Sequence, residues 1–136
     1  MGCDVHIHAE IKVQGRWHHY DQPRANRNYL LFEKMAGVRG DESNAIAPPR
    51  GLPEDATFTT RFDCEHWGSD GHSHSWLSAK EIAELRDWWD KQGYEWGRGD
   101  TWDQWLFGNH YSGFMRYPND RPEGVEDVRL VFWFDN

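Results

Sequence analysis

The stretch Cys3-Asp4-Val5-His6-Ile7-His8-Ala9-Glu10-Ile11-Lys12-Val13 decides the fold. Its odd positions, Cys3 through Val13, are all apolar, and its even positions, Asp4, His6, His8, Glu10 and Lys12, are all polar. A period of two sustained over this length predicts a β-strand with one face on a core. The other face then displays an acid, two imidazoles and a second acid. Same-face neighbours on a strand stand roughly 6.6 Å apart, so His6 and His8 can converge on one ion. Asp4 and His8, about 13 Å apart, share it only if the strand bends.

Working outward, Gln14-Gly15 reads as a turn and Arg16 to Tyr20 as the returning strand of a hairpin, closed by Pro23. His18 and His19 point to opposite faces, so at most one joins His6 and His8. At the far end, Val125 to Phe134 is strongly apolar with weak alternation, as for a central strand buried on both faces beside the first one. Helices are expected over Asn28 to Ala36, ended by Gly37, and over Thr57 to Trp67. A third is expected from the Ser78/Glu81 capping box through about Lys91, before Gly93, with Ile82, Leu85 and Trp89 as its apolar stripe. A short fourth covers Thr101 to Phe107, capped by Asp100. Val38 to about Asp55 reads as a long loop and Gly68 to Trp76 as a turn-rich segment. The expected fold is a single α+β domain over residues 1–136. It has a small mixed or antiparallel sheet of N-terminal hairpin and C-terminal strand, helices packed on one side, and long loops over the other.

The chain has 136 residues, room to bury around two-thirds of its unfolded surface. Nine Trp, seven Phe and five Tyr predict an aromatic core, and the Trp-rich region from Trp88 to Trp105 is read as part of it. The net charge of −8 argues against duplex nucleic acid, which needs a basic footprint, while leaving room for a small ligand met by local arginines. No apolar run reaches membrane-span length and no signal-type segment follows Met1. The opening Met-Gly-Cys does not read as a myristoylation signal, because the sixth residue is His6. Two cysteines without a secretion signal fit a reducing compartment, with Cys3 and Cys64 as thiols or ligands.

The leading constellation joins His6 and His8 to a second pair, His72 and His74, with Asp4 and Asp70 as carboxylate ligands. Neutral imidazoles and carboxylates suit a divalent metal, zinc first, with manganese or iron as alternatives. The expectation requires all four imidazoles within about 5 Å of one point, given ligand bonds near 2.0–2.1 Å. Cys64 and His66, with His72, His74 and Cys3, form a competing local zinc site of no standard spacing. Arg24, Arg27, Arg39 and Arg50 are loop cations able to clamp a phosphate. Ser69 and Ser75 stand beside histidines without a nucleophile-elbow motif.

Five runs resemble a family of small proteins encoded by tailed bacteriophages and bacteria. They are Met1-Gly2-Cys3-Asp4-Val5-His6, Arg27-Asn28-Tyr29-Leu30-Leu31-Phe32, Ala36-Gly37-Val38-Arg39, Pro49-Arg50-Gly51-Leu52-Pro53 and Ser69-Asp70-Gly71-His72-Ser73-His74-Ser75-Trp76-Leu77. The resemblance covers roughly the first 80 residues and implies a cytoplasmic protein of phage or prophage origin, acting in the host bacterial cytoplasm. It implies an accessory or anti-defence role and supplies no mechanism. A looser similarity, confined to His6 and His8, is to metal-dependent hydrolases whose first strand carries His-x-His. The chain is too short for their barrels, so that similarity concerns local chemistry alone.

The function expected from these residues is a metal-dependent hydrolase, a phosphoesterase acting on a nucleotide or another small phosphorylated molecule. The metal would generate hydroxide near neutral pH. Glu10 or His110 would be the general base, and Arg27 or Arg50 would stabilise charge on phosphate. The alternative is a non-catalytic protein that binds a small ligand or a host protein, with a structural zinc or no metal. The absence of repeats and heptads argues against a structural virion component.

Overall fold

The computed structural model describes residues 2–95, 100–108, 114 and 122–136. The opening alternation forms β1 (Asp4–Val13), and Gln14 and Gly15, both at positive φ (51° and 75°), turn the chain into β2 (Arg16–Asp21). Two successive left-handed residues are the turn whose twist matches a hairpin. The last strand, β4 (Asp127–Asp135), pairs antiparallel with β1 from Asp4↔Asp135 to Lys12↔Asp127. A further strand, β3 (Gly71–Ser78), pairs antiparallel with the other side of β4. The sheet order is β2-β1-β4-β3, so the first and last strands form its middle, as the sequence pattern predicted.

Strand β3 corrects one expectation. The Gly68 to Trp76 segment is a turn only over Gly68–Asp70, a short 3-10 helix, and is strand thereafter. Its Gly, His and Ser residues carry little intrinsic strand preference. Pairing with β4 and burial of Ser75 and Leu77 override that preference.

The odd face of β1 holds the core. Cys3, Val5, Ile7 and Ala9 meet Val128, Leu130, Phe132 and Phe134 of β4. Three helices cover this face. Helix α1 (Tyr29–Ala36) is capped by the Asn28 side chain, which accepts from Leu31 N, and ends on Gly37 at φ 75°. Helix α3 (Ala79–Glu95) starts on the Ser78/Glu81 box, with Ser78 N donating to Glu81 and Glu81 N to Ser78. It runs past the expected stop at Gly93. Helix α4 (Trp102–Phe107) is capped by Thr101, one residue after the expected Asp100, in a reciprocal box with Gln104. Leu31, Phe32 and Met35 pack against Ile82, Leu85, Trp89, Trp102 and Leu106, all buried. Each such side chain contributes about 1.5–3 kcal/mol of transfer free energy.

The remaining helix, α2 (Phe58–Trp67), lies on the opposite, polar face together with residues 55–57, where loops alone were expected. Its sole buried residue is Thr60, and Phe58 and Phe62 stay 73% and 64% exposed. Hydrogen bonds fasten it to the sheet.

Candidate functional site

The even face of β1 meets α2 in two polar clusters. Glu10 is fully buried. One oxygen accepts from Arg129 Nε at 2.7 Å, and the other accepts from Thr57 N, Thr57 Oγ1 and Thr60 Oγ1 at 2.9, 2.6 and 2.7 Å. Burial pushes this carboxyl up, but the hydrogen bonds from Thr57, Thr60 and Arg129 outweigh it and hold it below the ordinary value. Arg129 also reaches Asp55 and lies over the Trp17 ring at 4.0 Å. Glu10, expected as a general base, therefore has one oxygen committed to Arg129 of β4 and the other to the threonines that hold α2 on the sheet.

His8, also fully buried, is the middle of a second cluster. Its Nε2 lies 2.7 Å from Asp63 Oδ2 on α2 and its Nδ1 lies 2.9 Å from His19 Nε2 on β2. A carboxylate only accepts, so Nε2 of His8 carries a proton. In neutral His8, Nδ1 then accepts from His19 Nε2–H. Burial, and then the neighbouring His8, push the His19 imidazole below its usual pKa.

His6 donates to Asp135 Oδ1 at 3.2 Å and packs on Trp67. His6, His8 and His74 all lie against Trp133 of β4, at ring-centroid distances of 6.1, 5.3 and 5.9 Å. Trp133 separates His74 from His6 and His8. Strands β1 and β3 flank β4 and stand two inter-strand spacings apart, roughly 9.5 Å, with the indole between them. Burial, then His72, lower the pKa of His74.

The expected gathering of four imidazoles at one point is not what the sheet assembles, and the cause is local. Ser73 has φ 57°, and the pairing slips between His72↔Phe134 and Ser75↔Phe132, so that β3 carries one extra residue against β4. This bulge turns His72 to the core-side face, near Phe134, while His74 stays on the Trp133 face. Asp4 pairs with Arg27 at 2.7 Å, and both are half-exposed. Asp70 is exposed on the 3-10 turn. Among the described residues, no three or more His, Cys, Asp or Glu side chains stand together as a metal-binding group. The competing set is likewise dispersed, with Cys3 in the core and Cys64 on α2 across the sheet. Arg50 is committed to Glu81 at 2.5 Å, to the Trp76 carbonyl and to the Trp76 ring. His110 lies outside the described residues.

What the bulge does assemble is a chain of three side chains at the end of the sheet. His72 Nε2 is 3.1 Å from Asn136 Oδ1, and His72 Nδ1 is 2.9 Å from Ser73 Oγ. The amide oxygen only accepts, so His72 carries its proton on Nε2. Nδ1 of the neutral ring is left to accept the Ser73 hydroxyl proton. A hydroxyl, an imidazole base and an amide that fixes the imidazole tautomer are the parts of an activated nucleophile. The backbone of Ser73 is in the left-handed region that a β-carbon disfavours, a conformation that concentrates at functional sites. These three residues line a cleft of about 310 Å³. Val38, Arg39, Glu42, Pro48 and Pro49 also line it.

Arg39, also at positive φ (62°), lies over the Tyr29 ring at 5.3 Å. Tyr29 OH accepts from Cys3 N. Burial raises the Cys3 thiol pKa, and a hydrogen bond from Arg39 offsets part of the rise. Cys3, Tyr29, Arg39, Pro49 and Ser73 thus lie around one end of the sheet.

The sequence pattern leaves His18 and His19 open as the neighbour of His8, and it is His19; Ser73, Asn136 and Asp63 are not among the expected site residues. For Ser73 a signal existed in Gly71-His72-Ser73-His74-Ser75, where small residues flank the serine at both second neighbours. For Asn136, 64 residues from His72, and Asp63, 55 from His8, none did. No protein-family model, curated protein or solved structure matches the chain.

Proposed function

We propose that the protein is a hydrolase that uses Ser73 as a nucleophile on a small ester or related acyl compound held in the sheet-end cleft. The observation that carries this reading is the Asn136–His72–Ser73 chain opening on that cleft. Ser73 Oγ attacks the acyl carbon as its proton passes to His72 Nδ1. His72⁺ then returns that proton to the leaving oxygen, and an acyl-Ser73 ester remains. A water, deprotonated by His72, releases the acid and restores the hydroxyl. Asn136 keeps Nε2 protonated throughout.

The charges lining the cleft favour carbonyl over phosphoryl chemistry. Arg39 and Glu42 nearly cancel there, whereas phosphoryl transfer depends on concentrated positive charge.

The experiment is labelling with a fluorophosphonate probe, with mass spectrometry of the modified peptide, alongside hydrolysis of 4-nitrophenyl esters. Modification is expected at Ser73, with labelling and turnover lost in Ser73→Ala and His72→Ala. A probe that leaves Ser73 unmodified while circular dichroism shows a folded protein would refute the reading. The metal-dependent phosphoesterase reading makes a different prediction. It expects turnover of phosphoesters that a chelator abolishes and that His6→Ala impairs as strongly as His72→Ala.

A further inference from the structure

We infer that the cleft selects substrates carrying a single carboxylate, and that Arg39 is the residue that reads it. The inference rests on the hydrolase reading for the position of the reacting bond, but its binding side stands on geometry alone. Arg39 lines the cleft together with Ser73, His72 and Asn136. It is set there by three independent features. The helix before it is stopped by Gly37 at φ 75°, its own backbone is held at φ 62°, and its guanidinium rests on the Tyr29 ring at 5.3 Å.

An arginine held by its backbone and by an aromatic face loses less freedom when it grips a carboxylate, because its planar fork is already oriented. Glu42, also in the lining, sets the upper limit of charge. It repels a second anionic group, so a monoanion suits the cleft better than a dicarboxylate or a phosphate monoester. The volume of about 310 Å³ is at the lower end for small-molecule sites, which suits a short carbon skeleton. Val38, Pro48 and Pro49 supply an apolar wall for that carbon skeleton.

The test is a ligand-observed NMR titration with monomethyl succinate, dimethyl succinate and succinate, which carry one, no and two carboxylates on one skeleton. It needs no turnover. The monoanion is expected to bind roughly tenfold to a hundredfold tighter than the neutral diester, the range of a charge-assisted hydrogen bond. The dianion should bind no tighter than the monoanion. Arg39→Gln should erase the preference and Arg39→Lys should keep part of it. Glu42→Gln, on an exposed turn, should raise the affinity for the dianion alone. Equal binding of charged and neutral ligands, or a preference that survives Arg39→Gln, overturns the inference. An Arg39-dependent preference without labelling at Ser73 would sink the hydrolase reading and spare this one. Labelling at Ser73 without the preference would do the reverse.

Discussion

Replacing Arg129 with Met removes the buried cross-strand partner of Glu10, the carboxylate on which Thr57 and Thr60 anchor α2. Arg129 is 7% exposed and Glu10 is fully buried. Their ion pair has N–O distances of 2.7 Å, while the second partner, Asp55, is 66% exposed. The exposed Asp55 pair contributes little, on the order of 1 kcal/mol or less. Removing the arginine leaves the Glu10 carboxylate buried, with only Thr57 and Thr60 as donors. Breaking a buried pair from one side costs about 3–5 kcal/mol. For a chain of this length that is a fall in Tm of roughly 10–20 °C.

The pH dependence has a definite sign. In the parent the Glu10 pKa is lowered by folding, so its contribution is present above the unfolded carboxylate value, near about 4.3, and is lost as pH falls through the folded value. Without Arg129 burial dominates, the carboxyl escapes by taking a proton, and the gap between parent and variant narrows as pH falls. The assay is urea denaturation followed by tryptophan fluorescence at pH 7 and pH 4.5, with Glu10→Gln/Arg129→Met as the control. The glutamine oxygen can still accept from Thr57 and Thr60, so the double variant should recover about 1–3 kcal/mol of the loss. A double variant no more stable than Arg129→Met alone would show that lost packing, not a stranded charge, causes the damage.

Three further outcomes are expected. Ser73→Ala and His72→Ala should each lower ester turnover by roughly a thousandfold or more, while Asn136→Ala costs less because it only orients His72. Steady-state kinetics with one ester compares all three. In a histidine NMR titration, His19 and His74 should stay neutral to lower pH than an exposed imidazole, near about 6.5. Their depressed values mean that they stabilise the fold above the unfolded imidazole value, a contribution lost as pH falls through their folded values. Gly37→Ala should cost at least 1–2 kcal/mol, as an order of magnitude, and more than Gly15→Ala. Both sit at φ 75°, but a β-carbon at Gly37 would stand 2.8 Å from the Glu42 backbone, whereas at Gly15 it would meet nothing. Thermal melts of the two variants decide it.

The parts of this molecule legible in the sequence are those written in short-range patterns. The odd face of β1 was readable as core because alternation alone separates it, and Asn28, Gly37 and the Ser78/Glu81 pair mark helix ends by local hydrogen bonding. What was not legible depends on long-range pairing. Helix α2 has no apolar stripe toward the sheet, and its attachment uses Thr57, Thr60 and Asp63, whose partners are 47 to 55 residues away. The histidine pairs were visible, but their directions were not. Regular alternation would keep His72 and His74 on one face, and the extra residue at Ser73 separates them. A positive φ at a serine leaves no mark in the sequence. The same irregularity that dispersed the expected metal ligands produced the Ser73–His72–Asn136 chain.

The bulge at Ser73 also bears on how the molecule behaves in a crowd. Strand β3 is an outer strand, and its free side would otherwise offer a row of amides and carbonyls to any extended chain that drifted alongside. A residue out of step breaks that row and twists the strand, so a straight partner cannot run along it. At the middle of the strand Gly51 N donates to the carbonyl of His74, and Arg50 N to the Ser75 hydroxyl. The Pro48–Pro53 loop thus covers part of the edge that the bulge leaves. Straightening β3, by deleting Ser73, would remove the proposed nucleophile. It would also leave a continuous open edge, and the expected outcome is a protein that sticks to copies of itself.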